Sequence, residues 1–113
     1  MITHVVLLTP RHDLTQHDRR AFATAFERAV REIPTVRSVR LGKRITVGAG
    51  YEQGMPDTSD LLAVIDFDDV DGLQTYLRHE AHAELGVLFG RSLSAALVYD
   101  FEVGGLEMIA TLF

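Results

Sequence analysis

The sequence predicts an α+β domain in which four β-strands form one antiparallel sheet and two helical segments cover one face of it. Four apolar, β-branched runs alternate with two stretches of helical spacing, in the order β-α-β-β-α-β. A chain of 113 residues is long enough for one domain with a core of its own. These observations together predict the α+β fold class.

The first half of the chain predicts a strand and then a helix. Residues 2–9 are β-branched or apolar and predict a strand in which His4 shares a face with apolar neighbours. Thr15, with Asp18 three residues later, is a helix-start signal. Pro34 ends that helix. Its apolar stripe has the spacing of a single helix face: Phe22, Ala25, Phe26, Ala29, Val30 and Ile33.

Two further strands are predicted around a loop. Residues 36–47 alternate apolar and basic side chains, as a half-buried strand does. Residues 48–59 carry three glycines and a proline and predict a loop that we expect to be mobile. Residues 61–67 form a strongly apolar run and predict the third strand.

The last part of the chain predicts a second helical region, a strand and a tail. Acidic residues suited to a helix N-terminus open the helical region, residues 68–90, and Gly90 is its expected end. Residues 95–103 predict the fourth strand, and residues 104–113 an apolar tail. This order is that of the ferredoxin-like split βαβ fold. We therefore expect one domain, residues 1–103, followed by the tail.

Composition excludes several classes of function. The absence of cysteine excludes disulfides and thiolate metal sites. A net charge of −5 argues against nucleic acid as the main partner. No apolar run has the roughly 20 residues that cross a bilayer, and the N-terminus lacks a signal-peptide pattern. We expect a soluble, cytoplasmic protein without a membrane partner.

The strands also predict an assembly. Strands one, three and four are apolar on both alternations, but the helices can cover only one face of the sheet. The other face would be an apolar patch too large for a monomer. We therefore expect a homodimer that pairs sheet against sheet.

Histidines are the candidate acid–base groups. His12 and His17 fall in polar segments and are interpreted as surface residues. His4 lies within an apolar strand, where it is either a satisfied core residue or a pocket-lining acid–base group. His79 and His82 are three apart and would share a helix face, whereas the zinc motif His-Glu-x-x-His needs four. We expect no metal and no cofactor.

Several segments together resemble the stress-responsive A/B barrel (Dabb) family of dimeric α+β barrels. Residues 1–8 (MITHVVLL) are similar to the family's first strand, and residues 33–39 (IPTVRSV) to its helix-to-strand passage. Residues 76–82 (YLRHEAH) resemble its Tyr-x-x-His-Pro-x-His segment, and residues 98–101 (VYDF) its closing strand. Glu80 departs from the family's proline, which weakens the expected turn and leaves both histidines in place.

The resemblance implies a ferredoxin-like protomer that pairs through its sheet into a barrel. Some plant members resemble polyketide cyclases, which close a linear poly-β-ketone by aldol condensation without a cofactor. In those proteins a first-strand histidine, the tyrosine and the second histidine line the pocket. These positions correspond here to His4, Tyr76 and His82. Phe22 and Phe26 would line its apolar part.

The chemistry assigns a role to each group. We expect His82 to act as the base, Tyr76 to polarise the carbonyl, and His4 to position the substrate or act as an acid. Asp100 would hold one imidazole in the required tautomer. The ligand would be small, apolar and oxygen-bearing. Two alternatives remain open: a non-catalytic ligand-binding or stress-associated dimer, in which His4 and His82 satisfy each other, and a cofactor-free monooxygenase.

Overall fold

A computed structural model describes residues 1–56 and 59–113. Its elements are β1 (Ile2–Pro10), α1 (Gln16–Glu32), β2 (Ser38–Lys43), β3 (Leu61–Phe67), α2 (Val70–Arg78), α3 (Glu80–Ser92), β4 (Leu93–Glu102) and α4 (Ile109–Leu112), with 3-10 turns at Gly50–Gly54 and Leu106–Met108. The strands form one antiparallel sheet in the order β2-β3-β1-β4. The predicted ferredoxin-like α+β class is confirmed.

The central strand β1 sets the geometry of the sheet. Its register places His4 opposite Ile65 of β3 on one side and opposite Asp100 of β4 on the other. Since side chains alternate across a strand, all three project from the same face of the sheet. That face is covered by the helices, and His4 is buried there with only 4% of its surface exposed.

The core lies between the helices and this face of the sheet. Its largest fully buried side chains are Tyr76, Phe67, Ile33 and Ile65. Two small residues of α1, Ala25 and Ala29, are also buried in this core, and the backbone of α1 approaches that of α3 most closely. The apolar stripe read from the sequence is therefore the packing face of α1.

The start of α1 follows the predicted capping pattern. The backbone N–H of Asp18 donates to the Thr15 hydroxyl at 3.1 Å, and the backbone N–H of Thr15 donates to the Asp18 carboxylate at 3.2 Å. This reciprocal pair satisfies two donors that a helix start otherwise leaves without partners.

Two element predictions need correction. The second strand is shorter than residues 36–47, because β3 begins at Leu61 and its pairing with β2 ends at Lys43. The single helical region predicted over 68–90 is two helices, because His79 has an extended backbone with φ −69° and ψ 144°. Within the predicted loop, Gly50–Gly54 form a 3-10 turn, and residues 57 and 58 lie outside the described residues.

The face of the sheet opposite the helices carries exposed apolar side chains. On β4 these are Leu97, Tyr99 and Phe101, each about half exposed. In the register they lie beside Leu7, Val5 and Thr3 of β1. In the part of the chain that the structure describes, no helix is long and apolar enough to cross a membrane.

Candidate active site

A cavity of about 190 Å³ lies between the helix-covered face of the sheet and helices α1, α2 and α3. His4 of β1, Tyr76 of α2 and His82 of α3 all line it. Most of the remaining wall is apolar: Val6, Leu8, Phe26, Ala63, Ile65, Leu77, Leu85, Phe89 and Val98. The structure therefore brings the three predicted polar side chains into one largely apolar pocket.

Asp100 holds the His4 ring from the neighbouring strand. The Nδ1 atom of His4 lies 2.5 Å from Oδ1 of Asp100. An ionised carboxylate can only accept, so in this pair Nδ1–H is the donor, an assignment made from the hydrogen-bond partner. The other ring nitrogen, Nε2, is then the atom of His4 open to a ligand. The imidazole that Asp100 would orient under the sequence prediction is therefore that of His4.

Tyr76 stands between the two histidines. Its ring centroid lies 5.8 Å from that of His4 and 4.8 Å from that of His82, in edge-on arrangements. Only 2% of Tyr76 is exposed, and burial raises the pKa of its phenol to about 12. At neutral pH the phenol is therefore uncharged and can donate a hydrogen bond to an oxygen in the cavity.

The cavity favours the neutral form of the His82 imidazole. Burial lowers its pKa, and the electrostatic interaction with His4 lowers it further. A hydrogen bond to the backbone carbonyl of Leu77 acts in the opposite direction. In its neutral form the imidazole keeps a lone pair on one ring nitrogen. His4, for its part, is paired with Asp100.

His79 has a structural role that the sequence analysis missed. It caps α3, its Nδ1 accepting the backbone N–H of Ala81 at 3.0 Å. His79 therefore precedes the helix, and the expectation that it shares a helix face with His82 was wrong. Within residues 1–56 and 59–113, no three His, Asp or Glu side chains are grouped as ligands for a metal ion.

Glu80, which stands where the family usually has proline, is the first residue of helix α3. It comes directly after the His79 cap. The Arg28 guanidinium on α1 donates to the Glu80 carboxylate at 3.3 Å and also to that of Glu84. These ion pairs join α1 to the first turns of α3, the part of that helix that carries His82.

Of the two phenylalanines of α1, one lines the histidine cavity and the other does not. Phe26 lines the histidine cavity, whereas Phe22 lines a neighbouring apolar cavity of about 460 Å³. The four-residue separation places Phe22 about 6 Å from Phe26 along the helix axis, and the expectation that Phe22 lines the histidine cavity was wrong. Phe26, Leu8 and Ala63 line both cavities, so they form the wall that the two share.

Nine of the residues that line the cavity were not predicted as part of the site, and for two of them, Gly86 and Val98, the sequence contained a signal. Gly86 follows His82 by four residues, so it lies on the same face of α3. Val98 precedes Asp100 by two residues, so it lies on the same face of β4. Both signals require knowing that α3 begins at Glu80 and that β4 borders the cavity.

Comparison with known proteins finds a similar sequence and similar folds. The chain is 23% identical over 100 residues to olivetolic acid cyclase of Cannabis sativa, which covers 88% of this chain and 94% of the cyclase. The hydroxynitrile lyase of Passiflora edulis has the same fold, with a TM-score of 0.75 at 12% identity, covering 91% of this chain and 93% of the lyase.

A bacterial structure of the same fold is described as dimeric. This ferredoxin-like protein of unknown function from Thermobifida fusca superposes with a TM-score of 0.68 at 22% identity, covering 90% of each chain. A family model, described as the stress-responsive A/B barrel domain, matches residues 2–103 of this chain. The matched range includes all four strands through Glu102. The chain therefore belongs to the stress-responsive A/B barrel (Dabb) family.

Proposed function

We propose that this protein is a cofactor-independent enzyme that closes a short, apolar poly-β-ketone by intramolecular aldol condensation. One observation carries the proposal: His4, Tyr76 and His82 line a single apolar cavity, and Asp100 fixes the His4 ring. The similarity to a protein named as a cyclase supports the same class of reaction.

His82 takes the first proton in this scheme. Its lowered pKa favours the unprotonated imidazole. The ring nitrogen that carries the lone pair can then accept a proton from the carbon next to a substrate carbonyl. An imidazole within about 3 Å of that proton is an effective general base.

Tyr76 stabilises the charge that this step creates. As the C–H bond breaks, its electron pair moves toward the carbonyl oxygen, which becomes an enolate. A phenol with a pKa of about 12 remains protonated and donates to that oxygen. A donor placed where negative charge develops lowers the barrier more than one placed against the neutral substrate.

His4 positions the substrate. With Nδ1 donating to Asp100, the ring is fixed, and Nε2 carries the lone pair that can accept a hydrogen bond from an enol hydroxyl of the poly-β-ketone. The enolate carbon attacks the second carbonyl carbon, a C–C bond forms, and the new alkoxide takes back the proton held by His82. Loss of water then gives the cyclic enone. The sequence of steps consumes no oxidant and no cofactor.

The functional unit in this proposal is a homodimer. The apolar side chains Leu97, Tyr99 and Phe101 are about half exposed on the face opposite the cavity. A second copy packed sheet against sheet would bury them, and the fold relative from Thermobifida fusca is itself described as dimeric. We assign residues 1–103 to the domain and residues 104–113 to a tail.

The proposal is tested with heptane-2,6-dione, a small diketone that cyclises to 3-methylcyclohex-2-enone by this chemistry. The reaction is run under nitrogen and followed by absorbance of the enone. We expect acceleration by the wild type, a loss of at least tenfold in His82→Gln, and no change in the matched surface variant His17→Gln. Ligand binding with no acceleration would favour the non-catalytic alternative, and turnover that requires oxygen would favour a monooxygenase.

A further inference from the structure

Gly86 lies in the middle of helix α3, where glycine is a poor choice for stability. It is the seventh of the thirteen residues of the helix, is exposed, and lines the histidine cavity. Glycine inside a helix is less stable than alanine because it loses more backbone freedom on folding. The presence of glycine here can be explained by close packing of a neighbour, by the backbone conformation, or by the space that the cavity needs.

Neither packing nor conformation explains Gly86. A Cβ atom built on it meets no other atom within 4 Å, so no neighbour approaches too closely for a side chain. Its backbone is helical, and among the described residues the glycine with positive φ is Gly48. The reason that remains is the space next to Gly86, which belongs to the cavity.

This space lies at the entrance of the cavity. The deep wall is formed by buried residues, including His4, Tyr76 and Leu85, which are 2 to 4% exposed. Gly86, by contrast, is exposed, and so are two other lining residues, Leu77 and Val98. Since Val98 is on β4 and the other two are on the helices, the cavity opens between β4 and the helix pair.

We infer that Gly86 keeps this entrance open and thereby sets the largest ligand that the cavity accepts. The inference rests on the proposed function for its ligand class, which is ketones with an apolar body whose carbonyl reaches Tyr76. A methyl group at Gly86 would project into the entrance and exclude wide ligands while it still admits narrow ones. Gly86 is in this sense a specificity-determining residue.

Acetophenone and 2-acetylnaphthalene provide the test, since they share the ketone and differ by one fused ring. Binding is followed by chemical-shift changes in the NMR spectra of wild type, Gly86→Ala and Gly90→Ala. Gly90 is the matched control, because it is also an exposed glycine of α3 with no atom within 4 Å of a built Cβ, and it is not among the residues lining this cavity.

Both variants should gain thermal stability, with Tm rising by about 4 °C, because alanine is the better helix former. Gly86→Ala should lose roughly tenfold or more in affinity for 2-acetylnaphthalene and keep its affinity for acetophenone. Gly90→Ala should bind both ketones as the wild type does.

Unchanged affinity for 2-acetylnaphthalene in Gly86→Ala would overturn the inference, as would a wild type that binds neither ketone. Failure of the proposed function looks different. Size discrimination by Gly86→Ala together with no cyclisation of heptane-2,6-dione by the wild type would support the role of Gly86 and reject the catalytic proposal.

Discussion

The His4 Nδ1 atom and the Asp100 Oδ1 atom lie 2.5 Å apart although 96 positions separate the two residues in the chain. Antiparallel pairing of β1 with β4 brings them directly opposite one another. The side chain of His4 is 5% exposed and that of Asp100 is 41% exposed, so the pair extends from the cavity wall toward solvent. A buried imidazole with one nitrogen engaged in this way has a defined tautomer.

Asp100→Asn should therefore impair chemistry more than folding. The amide keeps the shape of the carboxylate but can donate to Nδ1, which reverses the tautomer of His4. We expect the rate of heptane-2,6-dione cyclisation to fall at least tenfold while Tm changes little. Glu102→Gln, a neighbouring carboxylate of β4, is the control and should keep the wild-type rate. Equal rates in the two variants would remove Asp100 from the mechanism.

The rate should depend on pH through His82. Burial lowers the pKa of His82 below its usual 6.5, so the base form persists to lower pH than in free histidine. Activity should be constant through neutral pH and should fall as pH drops through a midpoint below 6.5. A pH profile of the cyclisation rate measures this midpoint. A midpoint at or above 6.5 would contradict the assignment of His82 as the base.

Tyr76 should make the protein sensitive to alkaline pH. Its pKa is about 12 in the folded state, against 10.0 ordinarily, so between these values the folded state binds more protons than the unfolded state. Stability must then fall as pH rises from 10 toward 12, by about 2 kcal/mol for this group. Urea unfolding at a series of pH values should show this fall in the wild type and a shallower one in Tyr76→Phe.

The exposed Tyr51 supplies the control for that experiment. Tyr51→Phe should leave the alkaline fall in stability as steep as in the wild type, since this side chain is 69% exposed. If Tyr76→Phe were as steep as the wild type, the buried phenol would not be the source of the effect.

The sheet face opposite the cavity should mediate dimerisation. Tyr99→Lys places a charge at the centre of the apolar patch on β4, where burial against a second copy would be costly. Sedimentation at micromolar concentration should show a dimer for the wild type and a monomer for Tyr99→Lys. Val87→Lys on α3, also at an exposed apolar residue, should remain dimeric. A wild-type monomer would reject sheet-to-sheet pairing.

The fold was largely predictable because local patterns and global fold agree. The stripe on α1, its Thr15 cap and the alternation of β1 each follow from spacing alone. The break at His79 was not predictable from periodicity, because the apolar spacing of Leu73 and Leu77 before it continues in Ala81 and Leu85 after it. A histidine that caps a helix through its own ring offers no pattern signal of the kind that Thr15 offers.

The residues of the candidate site could be predicted from the sequence more readily than the contacts between them. Resemblance pointed to His4, Tyr76 and His82, and chemistry to Asp100, but the choice of His4 as the partner of Asp100 depends on the β1–β4 register. The placement of Phe22 in a separate cavity likewise depends on how α1 lies along the sheet. Such relations join distant parts of the chain, and a one-residue change of register would alter them.

Removal of a proton next to a carbonyl is the first step of the proposed reaction, and deuterium exchange measures this step alone. Acetophenone is incubated with protein in D₂O, and loss of its methyl signal is followed by NMR. We predict that the wild type and His17→Gln accelerate the exchange, that Tyr76→Phe is slower, and that His82→Gln is at least tenfold slower than the wild type. Exchange at the wild-type rate in His82→Gln would show that His82 is not the base.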